Sequence, residues 1–192
     1  MFFTKKPNIF FLSLLLLFIC SCKDEELEIP YFDFEIHSPG PQDTGSGTAN
    51  VFDKTWQATA YLFPYDQDTQ FMALRFETYS PEGFLREELY FGNFALIEGS
   101  YSLVNNSSAS TLMDDYIIYS GYALSEDDGD VVYAGYTLDH QYPHSFYIDQ
   151  IDTLARTING RFNVLFKIRE ENSHLNLAKL VLFEDGEFTV NY

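Results

Sequence analysis

The sequence predicts an all-β fold, an antiparallel meander of about ten strands that closes as a barrel or stacks as a two-sheet sandwich. Three observations carry that prediction. Apolar residues return at every second position through most of residues 51–192. Tyr, Phe, Val, Ile and Thr crowd those stretches, as half-buried pleated surfaces favour. Turn-forming dipeptides separate them, and no window keeps a helical period.

The first expected strand covers 55–63 and holds the single tryptophan, Trp56. The next covers 70–79. Ser80-Pro81-Glu82-Gly83 then places Pro at the second position of a β-turn. Residues 85–91 follow. Leu85 to Tyr90 is the one short stretch that could be helical, because Arg-Glu-Glu-Leu favours helix. Residues 100–104 form a further strand. Tyr116, Ile118, Tyr122 and Leu124 make one apolar face, with Ser120 the exception. Residues 131–138 and 145–151 come next. Phe162, Val164, Phe166 and Ile168 then alternate with Arg161, Asn163, Leu165, Lys167 and Arg169. Residues 177–183 and 187–192 complete the set. Asp128-Gly129, Asn159-Gly160 and Asp185-Gly186 are the dipeptides that two-residue type I′ hairpins require. In its closed form the meander would be a lipocalin-like barrel, and closure would remove the edges that invite aggregation.

The N-terminus reads as an export signal. Lys5 and Lys6 supply a positive start, and residues 9–20 an apolar run broken only by Ser13. Twelve residues are too few to cross a hydrocarbon core, which needs about 20. Ile19-Cys20-Ser21-Cys22 resembles a bacterial lipobox, with a small residue directly before the cysteine. The resemblance implies that the Cys22 thiol receives a diacylglyceryl group. The signal would be cut before Cys22 and the new amino terminus acylated, palmitate being the expected chain. Cys20 is the poorer candidate, since bulky Ile19 precedes it. Two or three acyl chains would give stable attachment, where one gives only marginal binding. Lys23-Asp24-Glu25-Glu26 resembles the lysine-plus-acidic tag of surface-exported lipoproteins of Bacteroidetes type. That resemblance implies an outer-membrane protein facing the cell exterior. The expected organisation is a cleaved signal at 1–21, a lipidated acidic tether at 22–50 and one β-rich domain at 51–192. Ser38 to Thr48, rich in Gly, Ser and Pro, reads as flexible linker. Tyr31-Phe32-Asp33-Phe34-Glu35-Ile36 partly alternates and is a candidate strand for the domain edge.

Removing 21 residues, among them Lys5 and Lys6 but no acidic residue, takes the net charge from −18 to −20. Such a surface is soluble and repels phosphate backbones, which speaks against nucleic-acid partners. Cys22 is the one cysteine that would remain. A disulfide, a Cys-based zinc site and a redox site are therefore not expected, and stability must come from an apolar core.

A second resemblance rests on Thr55-Trp56-Gln57-Ala58, Gly99-Ser100-Tyr101, Ile148-Asp149-Gln150-Ile151-Asp152, Ile158-Asn159-Gly160-Arg161-Phe162 and Asp185-Gly186-Glu187-Phe188. These segments are similar to recurring motifs of uncharacterised Bacteroidetes lipoprotein domains, and Arg161 departs from their usual small residue. The resemblance implies fold and location, and no activity.

Candidate chemistry is sparse. Asp139-His140 and His144 carry metal-ligating side chains, but Tyr142 and Pro143 make the segment a polar loop. His37 and His174 stand in no motif. Glu126-Asp127-Asp128-Gly129-Asp130 offers oxygen ligands of the kind calcium takes, without EF-hand spacing. Neither carries a metal expectation, and no cofactor is expected. Gly-x-Ser-x-Gly, His-Glu-x-x-His and phosphate-loop patterns are absent. Acidic pairs such as Glu87-Glu88 and Asp114-Asp115 are too common here to nominate a glycosidase pair. Tyr116, Tyr119, Tyr122, Tyr133 and Tyr136 fall on neighbouring strands and could line a cup or a flat face. The function expected is a non-catalytic binding module for a small molecule, glycan or protein, held to the membrane by its lipid anchor. An accessory subunit of an outer-membrane assembly is the alternative, and a hydrolase comes third.

Overall fold

In the computed structural model the described residues are 37–40, 44–65, 71–105, 117–126, 128–171 and 177–192. Cys22, Tyr116, His174, the acidic tag and the segment 31–36 lie outside them. The described residues belong to one unit, Phe32–Tyr192. Eleven strands build it: β1 Ser38–Pro39, β2 Gly45–Val51, β3 Lys54–Pro64, β4 Phe71–Tyr79, β5 Leu85–Ala95, β6 Gly99–Asn105, β7 Ile117–Ser125, β8 Val132–Leu138, β9 Ser145–Asp152, β10 Thr157–Glu171 and β11 Leu180–Asn191.

The strands close into a barrel rather than two stacked sheets. The circuit runs β5-β4-β3-β2-β11-β10 and returns to β5 through β7. Between β10 and β7 the wall forks. The second half of β10, from Phe166, pairs with β8, and β8 pairs with the second half of β7. The first half of β10, Thr157 to Asn163, pairs with β9; β9 pairs with β6, and β6 runs parallel to the first half of β7. The barrel is therefore nine strands around at one end, and a single strand, β8, fills the gap at the other. This departs from a simple meander, because β5 skips β6 to pair with β7. Asn105 sits where the fork closes. Its Oδ1 accepts from the Leu138 amide at 2.7 Å and from the Thr137 hydroxyl, and its Nδ2 lies 2.7 Å from His140 Nε2.

Alternation turns the large apolar residues inward, and rings fill the lumen. Trp56, Phe76, Phe91, Phe146, Phe162 and Phe183 are fully buried. Trp56 meets Phe183 edge-on at 5.0 Å, and Phe91 lies 4.8 Å from Phe146 and 5.4 Å from Phe162. Each such side chain contributes about 1.5–3 kcal/mol by leaving water.

Several local expectations change. Residues 45–50, expected in the tether, form β2 between β11 and β3. The composition that suggested a linker has a packing cause: a Cβ on Gly47 would come within 2.5 Å of the Phe76 ring. Ala49 and Val51 point into the core beside it. Residues 85–91 are strand as expected and the helical alternative falls, since Leu89 and Phe91 belong to the lumen. The strands expected at 177–183 and 187–192 merge into the single strand β11, Leu180–Asn191, with 177–179 outside it and a bulge where Asp185 has φ 49° and its amide bonds Asn163 Oδ1 at 2.8 Å. Asn159-Gly160 makes no turn and lies inside β10, where a Cβ on Gly160 would collide with the Phe188 ring and the Tyr147 carbonyl oxygen. The chain reverses at 153–156 instead, where Asp152 Oδ1 accepts from the amides of Leu154 at 2.9 Å and Ala155 at 2.8 Å. Asp128-Gly129 does mark a reversal, within a loop longer than two residues; the Glu126 amide bonds the Val131 carbonyl at 2.8 Å, and Gly129 has φ 76°.

Candidate functional site

Successive residues of a strand face opposite sides, so β5 sends Glu87 into the lumen and Glu88 to the outer wall. Glu87 is 1% exposed. Its carboxylate accepts from Trp56 Nε1 at 3.0 Å, Thr78 Oγ1 at 2.6 Å and Tyr122 Oη at 2.6 Å. These neutral donors satisfy a group whose burial would otherwise be costly. Burial first, and then the charge and hydrogen bond of Glu87, push the Tyr122 phenol far above its ordinary range. The cluster is a locked polar knot in an apolar lumen. Sequence reasoning passed over Glu87, although an acid in the same phase as Leu89 and Phe91 was a readable signal.

The outer wall of β3, β4 and β5 carries a second network. Tyr61, Arg75 and Tyr90 are cross-strand neighbours in one row, and Glu77 and Glu88 face each other in the next. Arg75 lies between the two acids. Its Nε is 2.7 Å from Glu77, off the line of the N–H, so the contact is an ion pair rather than an aligned hydrogen bond. Its Nη1 is 3.6 Å from Glu88, and its guanidinium stands over the rings of Phe63 at 5.3 Å and Tyr61 at 5.9 Å. The Glu88 carboxyl is raised by burial; Arg75 opposes that shift and Glu77 adds to it. The Tyr79 hydroxyl donates to Glu77, and burial and that bond raise its pKa. Gly40, just after β1, lies on the Tyr79 ring and covers the buried Thr59.

Beside this network a trough of about 430 Å³ opens on the outer face of β5, β7 and β8. Its floor is Gly121, Ala123 and Gly135, where Tyr90 pairs with Gly121, Glu88 with Ala123, and Ala123 with Gly135. Glu88 and Tyr90 form one wall, Asn105, Thr137 and Arg169 the other. The Tyr90 ring leans along its own strand over Gly92, filling the space a Cβ there would need. Burial, helped by Tyr65 and Glu88, pushes the Tyr90 phenol up to about 12.

A second depression of about 380 Å³ lies across β2, β11, β10 and β9. Its polar groups engage one another. Thr189 Oγ1 donates to Asn159 Oδ1 at 2.7 Å, and Arg161 stacks 4.4 Å over Tyr147 while pairing with Asp149 at 3.1 Å. A ligand there would have to replace those contacts; on the trough walls Asn105 also bonds Thr137 and Glu88 pairs with Arg75, but the trough floor bears no side chain beyond the Ala123 methyl.

The tyrosine face divides accordingly. Tyr122 and Tyr136 point inward and pack at 5.2 Å; the Tyr136 hydroxyl donates to the Ala178 carbonyl at 2.9 Å. Tyr119 is buried on the opposite side, 6.1 Å from Tyr65, and Tyr133 is half-buried. The outward ring at the trough is Tyr90, which the sequence did not single out. The histidine loop is held by its own backbone. His144 Nδ1 accepts from the Leu165 amide at 3.3 Å, and Nε2 lies 2.8 Å from the Asp139 carbonyl, so Nε2 carries the proton. Burial lowers the His144 pKa, against the opposing pull of the Asp139 carbonyl. In the acidic loop, Asp128 Oδ1 accepts from the Asp130 amide at 3.1 Å. Among the described residues no three His, Cys, Asp or Glu side chains converge as a metal site.

Comparison with protein-family models, with curated proteins and with solved structures gives no match to this chain.

Proposed function

We propose that this chain is a lipid-anchored cell-surface β-barrel, tethered through Cys22, that works as a non-catalytic binding module and takes its ligand on the outer wall. The observation that carries the reading is the contrast between lumen and wall. Lipocalin-like carriers hold ligand inside the barrel, but here Trp56, Phe76, Phe91 and their neighbours occupy that space. The open volume lies outside, in the trough beside Tyr90 and Glu88. The polarity of the wall fits a domain that rides above the membrane. Charges such as Arg75, Glu88, Arg161 and Glu187 face outward, and the fully buried rings of Trp56, Phe76, Phe91 and Phe183 face inward, whereas a barrel that spans lipid turns its apolar band outward and its polar groups inward. Attachment then falls to the acyl chains that the lipobox resemblance implies.

The accessory-subunit reading has one observation of its own. Phe84, in the turn before β5, and Val131 and Val132, at the start of β8, are 45%, 49% and 60% exposed, apolar surface suited to a protein neighbour.

The test is a titration followed by the backbone amide resonances of Gly121 and Gly135. Pools of small metabolites, oligosaccharides and peptides are added in turn. The expected result is a saturable shift of both amides with one pool, with lumen residues unmoved. Silence with all three pools, or shifts confined to the lumen, overturns the outer-wall reading. Shifts confined to residues 84 and 131–132 favour the accessory subunit.

A further inference from the structure

Resting on the trough as the binding site, we infer that its ligand is a neutral saccharide, one sugar ring lying against Tyr90 with its hydroxyls between Glu88 and Arg169. Four features of the trough converge on that chemistry.

The first is the pose of Tyr90. Its ring leans over Gly92 and along the outer wall instead of standing out into solvent. A ring laid on backbone has lost little freedom to lose again on binding, and it offers a flat apolar surface with a polar tip. The C–H face of a pyranose is its natural complement. The second is the pair of groups flanking the floor. Glu88 offers acceptor oxygens and Arg169 a planar guanidinium that donates only. Together they match vicinal hydroxyls, which donate and accept at once. The third is net charge. A chain at −18 repels polyanions, and the trough carries one acid and one base, so a neutral ligand meets no charge penalty.

The fourth is the floor itself. Glycine weakens a strand interior, and it persists where a fold or a ligand needs the space. At Gly47, Gly160 and Gly186 the fold needs it, because a Cβ would strike an aromatic ring. At Gly121 and Gly135 it does not. A Cβ on Gly121 would meet only the Tyr136 carbonyl oxygen at 3.9 Å, and one on Gly135 only Arg169 at 3.8 Å, both ordinary contacts. Neither residue has positive φ. The packing of the barrel leaves these two glycines unexplained; a ligand lying close to the backbone explains them.

Affinity gel electrophoresis of the full chain tests this. The gels contain mixed-linkage β-glucan, arabinoxylan, galactomannan or an α-glucan, with polygalacturonate as the anionic comparison. At least one neutral polymer is expected to retard the chain, and polygalacturonate is not. Tyr90→Ala should weaken retardation about tenfold. Gly121→Val, which fills the floor while leaving the core untouched, should abolish it with the thermal transition kept. Thr48→Val, on the other depression, should change nothing. Retardation that survives both trough variants overturns the site, and retardation by polygalacturonate alone overturns neutrality. If no glycan retards the chain while the Gly121 and Gly135 amides shift with peptides or metabolites, the saccharide falls and the outer-wall reading stands. If those amides are silent as well, both fall.

Discussion

Glu87 is where a single side chain governs the most. Three neutral donors from three other strands converge on its carboxylate. Removing the acceptor strands Trp56 Nε1, Thr78 Oγ1 and Tyr122 Oη in an apolar lumen. Glu87→Ala should therefore destabilise the barrel by about 3–5 kcal/mol, measured by urea unfolding. Glu87→Gln keeps the shape and one acceptor oxygen, so its cost should be smaller. Equal costs for both would mean that shape, not hydrogen bonding, sets the value. Glu88, one residue on, belongs to different physics. It sits on the wall, partly exposed, and its burden is partial burial first and then the facing Glu77, which Arg75 relieves. The sequence shows two adjacent acids; the pleat alone assigns one to stability and the other to the trough.

At the scale of elements, the glycines of the strands separate into two kinds. Gly160→Ala in β10 should cost about 1–3 kcal/mol by overpacking, because backbone and the Phe188 ring both stand in the way. Gly121→Val in β7 should be neutral or stabilising, since valine suits a strand and finds open space. Thermal melts of the two variants check the contrast, and a destabilised Gly121→Val would return that glycine to the fold. The β8–β9 loop gives a pH prediction. The folded pKa of His144 lies below its unfolded value near 6.5. Its contribution to stability is thus complete above that value and is lost as pH falls through the folded pKa. Glu88 runs the other way, since its raised folded pKa favours the protonated form at low pH. His144→Gln should flatten the fall in melting temperature below pH 6.5. An unchanged slope would mean that His144 does not set that fall.

For the whole molecule, closure depends on β2. It joins β11 to β3, and without it both become edges of an open sheet with an exposed aromatic lumen. A chain beginning at residue 51 should aggregate and show no cooperative thermal transition, while one beginning at residue 37 should melt cooperatively. Cooperative folding from residue 51 would show that the barrel tolerates an opening there. The fork between β7 and β10 is the other global feature, and Asn105 ties it. Its side chain holds β8 and the histidine loop from the end of β6.

What the sequence by itself determined is local. Period-two alternation marks Phe162, Val164 and Phe166 as one buried face wherever β10 finds its partners, because the pleat repeats every two residues. The aromatic core, the strand content and the barrel as one of two closures were legible for that reason. Tertiary structure decided the rest, because pairing partners are distant in sequence. It joined β5 to β7 past β6, drew residues 45–50 out of an apparent linker, and turned Asn159-Gly160 from an expected bend into clearance for Phe188. It also set Tyr90, Gly121 and Gly135 side by side from three separate strands. A dipeptide carries its own turn propensity, but what presses against it is written elsewhere in the chain.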